Sequence, residues 1–416
     1  MIKKILISAC LFLSLVSYSQ EGTSSPYSFY GIGETKFSGT LENRSMAGLS
    51  IAQDSTHINL QNPASYANLR WTAFAIGGST NKTKQKTATE SGSAQKTTLD
   101  YLALGIPMKK FGAAFGIIPY SSVGYRIQNN TTDDTQNNKR FNGWGGLNRV
   151  FLGFGYKITS NWNVGVNAYY NFGKIQTNSL EFIPYVPIGS RELNIATLSG
   201  MNYNIGMMYK TKINKKLSLF SGVYYTPSST LKSENTRNIE TVSYNSSFDL
   251  QVVDTLAVQI SKKDLKLAQK WSFGAGVGDS KKWLVGAEIS LQDVGELANN
   301  YNALDNVVYG KNEKYSIGGY YTPNPSPYSN YFKRITYRGG FKYEKTGLII
   351  NSQSINDVGM TFGAGLPITG SLSNVNVGLE IGKKGTTNAG LVQENYFVVN
   401  LSFSLSDKWF VKRKFN

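Results

Sequence analysis

The sequence predicts an all-β protein, a transmembrane antiparallel β-barrel of about 14 strands that follows a separate N-terminal segment. Three observations predict it. Near the C-terminus Phe397, Val399, Leu401, Phe403 and Leu405 take every second position, while Asn400, Ser402 and Ser404 stand between them. A period of two puts the first set on one face of a strand and the second on the other. The chain also begins with an export leader. Finally, alternating runs recur from Arg70 onward, and none of the later segments is apolar enough for a spanning helix.

The leader has three parts. Met1-Ile2-Lys3-Lys4 is a basic head, Ile5 to Val16 is an apolar core, and Ser17-Tyr18-Ser19 supplies small residues in the spacing a signal peptidase reads. Cleavage is expected before Gln20, so residues 1–19 form a signal peptide. Ile7-Ser8-Ala9-Cys10 has the look of a lipobox, but the apolar run continues past Cys10 and the core before it would be very short. Cys10 is the only cysteine. The mature chain is therefore expected to have no thiol, disulfide or cysteine metal site. A closed ladder of strands needs no such staple.

Composition agrees with strands. There are 42 glycines and 26 tyrosines, and the mean hydropathy is negative, as a barrel with one apolar face per strand allows. The formal net charge of +17 falls to +15 once Lys3 and Lys4 leave with the leader. The lysines are scattered, and much of the charge falls in presumed short turns: Lys109-Lys110, Lys212 to Lys216, Lys281-Lys282 and Lys412-Arg413-Lys414. Such rims suit membrane-surface anions or solvent better than nucleic acid.

Residues 20–68 alternate weakly and form the N-terminal segment; residues 69–416 form the barrel. Strands are expected near 69–80, 97–108, 111–129, 144–159, 161–176, 197–211, 215–234, 262–279, 281–295, 313–323, 333–349, 355–367, 371–385 and 391–406. Each has the roughly 9–11 residues that a tilted membrane strand needs. Trp162, Val164, Val166, Ala168, Tyr170 and Phe172 share one face, with Asn163, Gly165, Asn167 and Asn171 opposite. Val358, Met360, Phe362, Ala364 and Leu366 repeat the pattern, as do Val375, Val377, Leu379 and Ile381, the latter opposite Asn376 and Glu380. Lipid outside and a wet lumen inside account for both faces. Long polar connections are expected at 81–96, 130–143, 177–196 and 235–261, the last with room for a hairpin, and short turns at the other end. Aromatic pairs at strand ends, Tyr224-Tyr225, Tyr320-Tyr321 and Trp409-Phe410 with Trp162 and Trp283, suggest interfacial girdles.

Just before the first strand stands STHINLQNPASYANL, with Asn62-Pro63-Ala64 inside it and Met46-Ala47-Gly48 upstream. Here the sequence resembles the FadL/TodX-like outer-membrane transporters. SPYSFYGIGE, DVGMTFGAGLPI, VNVGLEIGKKG and SLSDKWFVKRKFN extend the likeness toward Bacteroidetes-type barrels. The resemblance implies a 14-stranded barrel, an N-terminal hatch over 20–68 with Asn62, Pro63 and Ala64 as hatch residues, and a bacterial outer-membrane location. It does not place ligand-contacting residues. Pro63 fixes its own φ and turns Asn62 away from helix, and Asn62 can bond nearby backbone.

His57 is the only histidine, in Asp54-Ser55-Thr56-His57. Neighbours in sequence do not make a triad, so it reads as a hydrogen-bonded hatch residue. Gly274-Ala275-Gly276 belongs to strand packing, not to a phosphate loop. Asp133-Asp134 reads as a solvated pair with too few oxygens for calcium. No catalytic residue, metal or cofactor is expected. Partners are outer-membrane lipid and lipopolysaccharide, with a small hydrophobic ligand and envelope-complex subunits as candidates and no nucleic acid.

Two functions follow. One is passive uptake of small hydrophobic molecules through a FadL-like channel. The other is a non-transporting barrel that docks partners in an envelope or secretion complex, as PorV, a relative of that family, does. A continuous apolar lumen would favour the channel. A lumen filled by the hatch, with an exposed apolar loop patch, would favour docking.

Overall fold

The computed structural model describes residues 22–129, 137–247, 249–279, 282–293, 306–326 and 328–407. The leader, Asp133-Asp134, Lys281, Trp409-Phe410 and 412–414 lie outside the described residues.

Fourteen antiparallel strands form the wall. In chain order they are β1 (Thr72–Lys86), β2 (Ser91–Met108), β3 (Phe111–Asn129), β4 (Asn138–Lys157), β5 (Trp162–Phe182) and β6 (Ile188–Lys212). β7 runs in two pieces, Ser218–Thr226 and Ser229–Tyr244, broken at Pro227, which cannot donate to the ladder. β8 runs in four, Leu250–Thr255, Gln259–Lys262, Leu265–Leu267 and Lys270–Asp279. Then come β9 (Trp283–Asp293), β10 (Val307–Tyr309 and Lys311–Tyr321), β11 (Thr336–Ile350), β12 (Gln353–Pro367), β13 (Asn374–Lys384) and β14 (Gln393–Asp407). β14 returns to β1 along its whole length, from Thr72↔Asp407 to Lys86↔Gln393, and the cylinder closes.

Alternation decides which side faces out. On β14 Phe397, Val399, Leu401, Phe403 and Leu405 are exposed, while Asn400, Ser402 and Ser404 are buried. On β5 the expected outward row stands, and Asn163, Asn167 and Asn171 point inward and are buried. The outward rows of neighbouring strands meet in register, as in Val377↔Leu401 and Phe362↔Leu379. Together they make a belt of apolar side chains with no protein over it, which only hydrocarbon can satisfy. At the short-turn end Phe111 packs at a tilt against Tyr156, centroids 4.6 Å apart, and Trp162 against Tyr209, 4.5 Å apart. These rings form one girdle. Of the expected girdle residues, Tyr225 pairs outward with Trp271 at 4.1 Å, but Tyr224 points inward and is buried.

Two expectations need correction. The long connections 81–96, 177–196 and 235–261 are mostly ladder, because β1, β2 and β5 to β8 continue well past the membrane belt. Past the belt both faces are wet, so the apolar alternation that marks a strand is missing there. The lumen is also not simply wet. Asn167 and Asn171 face inward yet are fully buried, Asn171 being bonded to Arg149 and Asn202, and residues 22–71 run through the barrel.

Leu401 lies mid-belt, so Leu401→Arg should destabilise the barrel by about 2–4 kcal/mol in reversible urea unfolding in lipid. A change below about 1 kcal/mol would remove that face from hydrocarbon.

Candidate functional site

Residues 22–71 start at the long-connection end, cross the lumen and reach the short-turn end, where β1 begins. Their backbone cannot join the wall ladder while they lie inside it, so side chains and short turns must pair it.

At the short-turn end Asn62-Pro63-Ala64 opens a 3₁₀ turn, Pro63–Asn68. Asn62 is extended (φ −120°, ψ 107°), as a residue before proline should be. Its Oδ1 accepts from the Ala64 amide at 3.1 Å and caps the turn. Its Nδ2 donates to Met207 O on β6 at 3.3 Å and Val223 O on β7 at 3.2 Å. One amide thus ties the segment to two wall strands, and Asn62 has no exposed surface. The turn lies directly on the wall. A Cβ at Gly165 would stand 2.4 Å from the Pro63 carbonyl carbon, and one at Gly112 only 1.9 Å from the Tyr66 carbonyl oxygen. Glycine is required there because backbone meets backbone. Tyr66, Ile58 and Leu60 fill an apolar cluster with Ala103, Phe151 and Tyr169.

His57 sits nearby, outside any nucleophilic arrangement. Its Nδ1 is 2.5 Å from Asp54 Oδ2, and its Nε2 is 2.9 Å from the Asn374 amide at the start of β13. Glu42 lies 3.8 Å from Nε2. Burial lowers the His57 pKa, but the Asp54 charge and hydrogen bond, with Glu42, outweigh it against the opposing Arg338, and the net shift is upward. Burial raises the Asp54 carboxyl, yet His57 and the Thr56 bonds carry it well below the ordinary range. When the ring is protonated, Asn374 must turn its oxygen toward Nε2. The Ser55 carbonyl accepts from the Arg70 amide at 3.0 Å instead.

Mid-lumen, charges join the segment to the wall. Glu380 on β13 accepts from Arg44 at 2.8 Å and Lys342 at 2.6 Å. Arg44 also meets Asp100 at 3.2 Å, and Lys342 meets Asp357 at 3.2 Å. Glu288 on β9 accepts from the amide and hydroxyl of Ser50 at 2.7 and 2.8 Å. A space of about 350 Å³ beside the segment is lined by charges, among them Lys270, Lys314 and Lys342 with Glu288, Glu344 and Glu380. Sequence reading did not single these out. Their signal was a lone carboxylate at an inward position, Glu380 in VNVGLEIGKK and Glu288 in LVGAEISL.

The wall itself has a rent. β2 and β3 pair from Met108↔Phe111 up to Leu102↔Ile117, and among the described residues no pairing joins them beyond that. β3 bulges where the register slips between Pro119 and Ser121. On its freed edge the segment supplies the missing partner: Glu34↔Ser122 and Thr35↔Ser121 pair antiparallel, and the Lys36 amide donates to Tyr120 O at 2.9 Å. Glu34 is held by Lys384 at 2.9 Å and the Thr23 hydroxyl at 2.6 Å. A polar crevice of about 60 Å³ follows the rent, reached by Lys36, Thr98, Asp100 and Pro119.

Fold and site together define a transmembrane β-barrel of the outer-membrane type whose own N-terminal segment fills the lumen and patches its wall. The chain belongs to the BamG family, whose profile matches residues 1–416. No curated protein matches it in sequence. Solved structures share the fold. The toluene transporter TbuX of Ralstonia pickettii is 13% identical, with 89% of this chain and 99% of that one covered at a TM-score of 0.59. A FadL homologue of Pseudomonas aeruginosa is 11% identical over 90% and 99%, at 0.60. The toluene transporter TodX of Pseudomonas putida is 15% identical over 94% and 99%, at 0.54.

Removing the Asn62 side chain leaves the Ala64 amide uncapped and unties β6 and β7. Asn62→Ala should weaken local protection by about 1–2 kcal/mol, read as faster hydrogen exchange at Ala64 with the wall strands unchanged; equal exchange would count against the bridge.

His57 stabilises its loop below its unfolded value, and this is lost as pH rises through the raised folded value. Asp54 acts oppositely, losing its contribution as pH falls through its depressed value. Exchange protection of Thr56 to Ile58, corrected for intrinsic rates, should peak near about pH 5–6 and fall above about pH 7. His57→Gln should flatten the profile; a wild-type profile already flat would contradict the charge pair.

Proposed function

We propose that the protein is a passive uptake channel of the FadL-like type for small hydrophobic molecules in the outer membrane of Bacteroidetes-type bacteria. The observation that carries this reading is the rent between β2 and β3, patched from inside by residues 34–36. A lateral gap lets an apolar solute pass between lumen and lipid without crossing the polar exterior. The similar structures support it, since TbuX and TodX are described as toluene transporters and CymD as a monoaromatic hydrocarbon channel. On this reading residues 20–68 are the hatch. Asn62, Pro63 and Ala64 anchor it, and 34–36 form the part that leaves the wall. The charged space beside the segment then belongs to a closed conformation.

A second reading is a non-transporting, PorV-like subunit that docks partners in an envelope or secretion complex. It is favoured by the charged lumen that the segment fills and by exposed Val252, Val253, Leu256, Val258 and Ile260. These lie on or beside β8 beyond the belt, where among the described residues Leu250–Thr255 pairs with β7 only.

Thr35→Cys with Ser121→Cys would lock the patch to β3, and the mature chain has no other thiol to interfere. Under the uptake reading, oxidation blocks entry of labelled toluene or fatty acid into cells, and reduction restores it. Uptake equal in locked, reduced and deletion strains, together with a stoichiometric partner retained in mild detergent and lost with Val253→Asp and Ile260→Asp, would replace the first reading with the second.

A further inference from the structure

Outside the barrel, away from lumen and rent, the lipid-facing wall carries a groove of about 920 Å³ spanning β11 to β14 and β1. Its floor is apolar: Phe341, Val358, Met360, Ile381 and Phe397. Strand register sets the layout. One row reads Phe341↔Met360↔Ile381↔Phe397↔Lys82 across five strands. The next row, one step toward the long-connection end, reads Val358↔Lys383↔Asn395↔Lys84↔Ser93. Apolar side chains therefore give way to lysines within one or two rows. Lys82, Lys84 and Lys383 all face outward and are exposed. No acidic side chain lines the groove, and none of the three makes an ion pair among the described residues. Lys82 and Lys84 lie about 7 Å apart along β1, and Lys84 and Lys383 about 10 Å apart across two strands. Three unpaired ammonium groups at the upper edge of a hydrocarbon-facing groove are unusual. Lys342 and Lys384, by contrast, are paired inside the lumen.

We propose that this groove is a binding site for one molecule of phosphorylated, multiply acylated saccharolipid of the outer leaflet, the lipid A class. Acyl chains lie on Phe341, Met360, Ile381 and Phe397; a phosphate on the sugar headgroup is held by Lys82, Lys84 and Lys383. Asn395 and Ser93, in the same row, supply neutral partners for sugar hydroxyls. The side of the membrane is consistent, because the lysines lie toward the long connections, which face outward in barrels of this kind. The inference rests on the membrane-facing wall and is independent of whether the lumen conducts.

The test is native mass spectrometry of the detergent-purified full-length mature protein, titrated with bisphosphorylated lipid A, its fully dephosphorylated form, phosphatidylglycerol and inorganic phosphate. Wild-type protein is expected to retain one bisphosphorylated lipid A. Lys82→Gln/Lys84→Gln/Lys383→Gln should lower its affinity roughly tenfold or more, since each surface lysine near an anionic headgroup contributes measurably. Lys212→Gln/Lys215→Gln/Lys216→Gln, an equal charge change at the short-turn rim, should leave it unaltered. Met360→Trp, which fills the groove, should weaken both lipid A forms. Heat-modifiable migration in detergent gels confirms that each variant is a closed barrel. The proposal is overturned if the two triple variants lose affinity equally, if dephosphorylated lipid A or phosphatidylglycerol binds as tightly as the bisphosphorylated form, or if inorganic phosphate at matched concentration displaces the lipid. Unchanged uptake in the Lys82/Lys84/Lys383 variant separates this result from the channel reading.

Discussion

An amide or carbonyl facing hydrocarbon has only protein to bond with, and this constraint organises the molecule. It requires β14 to return to β1. It also makes any lapse of the ladder a problem that another part of the chain must solve. The lapse between β2 and β3 is solved by Glu34, Thr35 and Lys36, which pair with the freed edge of β3 as a third strand would. The N-terminal segment is thus more than filler. It completes the wall where β2 and β3 part.

Inside, the constraint returns in another form. A segment without its own ladder must find partners for its backbone among side chains. Asparagine and serine on the inward face supply them: Asn204 donates to Gln61 O at 2.9 Å, Ser316 to Ala47 O at 2.9 Å, and Ser406 to Thr56 O at 3.0 Å. Ionised groups add geometry that hydroxyls cannot. Burying Arg44, Lys342 and Glu380 carries a desolvation cost, so their pairing is better understood as fixing the path of the segment than as a source of net stability. The same residues that a water-filled pore would need are here spent on holding a folded interior.

Much of this was legible in the sequence, and the rest was not for physical reasons. The belt was legible because lipid enforces alternation on every strand, as in Phe397 to Leu405. All fourteen expected strands have counterparts in the wall. The outer ends of β5 to β8 were hidden, since Thr177 to Phe182 and Ile188 to Ala196 leave the membrane and need no apolar face. Asn62-Pro63-Ala64 stood out by local chemistry, proline after a capping residue. Glu34, Arg44, Glu288 and Glu380 did not, because their partners are distant in sequence: Arg44 and Glu380 are 336 residues apart. Only closure of the barrel brings them together. The outward lysines of β1 looked like loop charges, because the register that sets them beside Lys383 and above Phe397 belongs to strands at opposite ends of the chain.

The segment is not held equally along its length, and the difference bears on both readings. Residues 62–67 are almost fully buried, with Tyr66 in an apolar cluster and backbone against Gly112 and Gly165. Lifting them would expose apolar surface and vacate a close-packed site, both costly in water. Glu34 and Lys36 are half-buried and Thr35 is exposed, and the partners of the two charged side chains include carboxylates, ammonium groups and hydroxyls. Entering water could replace those bonds at little net cost. Any rearrangement that reopens the wall therefore starts at Glu34 and leaves Asn62 in place, whether a solute or a partner protein drives it. A solute needs that motion to pass, whereas a docking subunit needs the patch to stay shut, so the mobility of three residues decides between them.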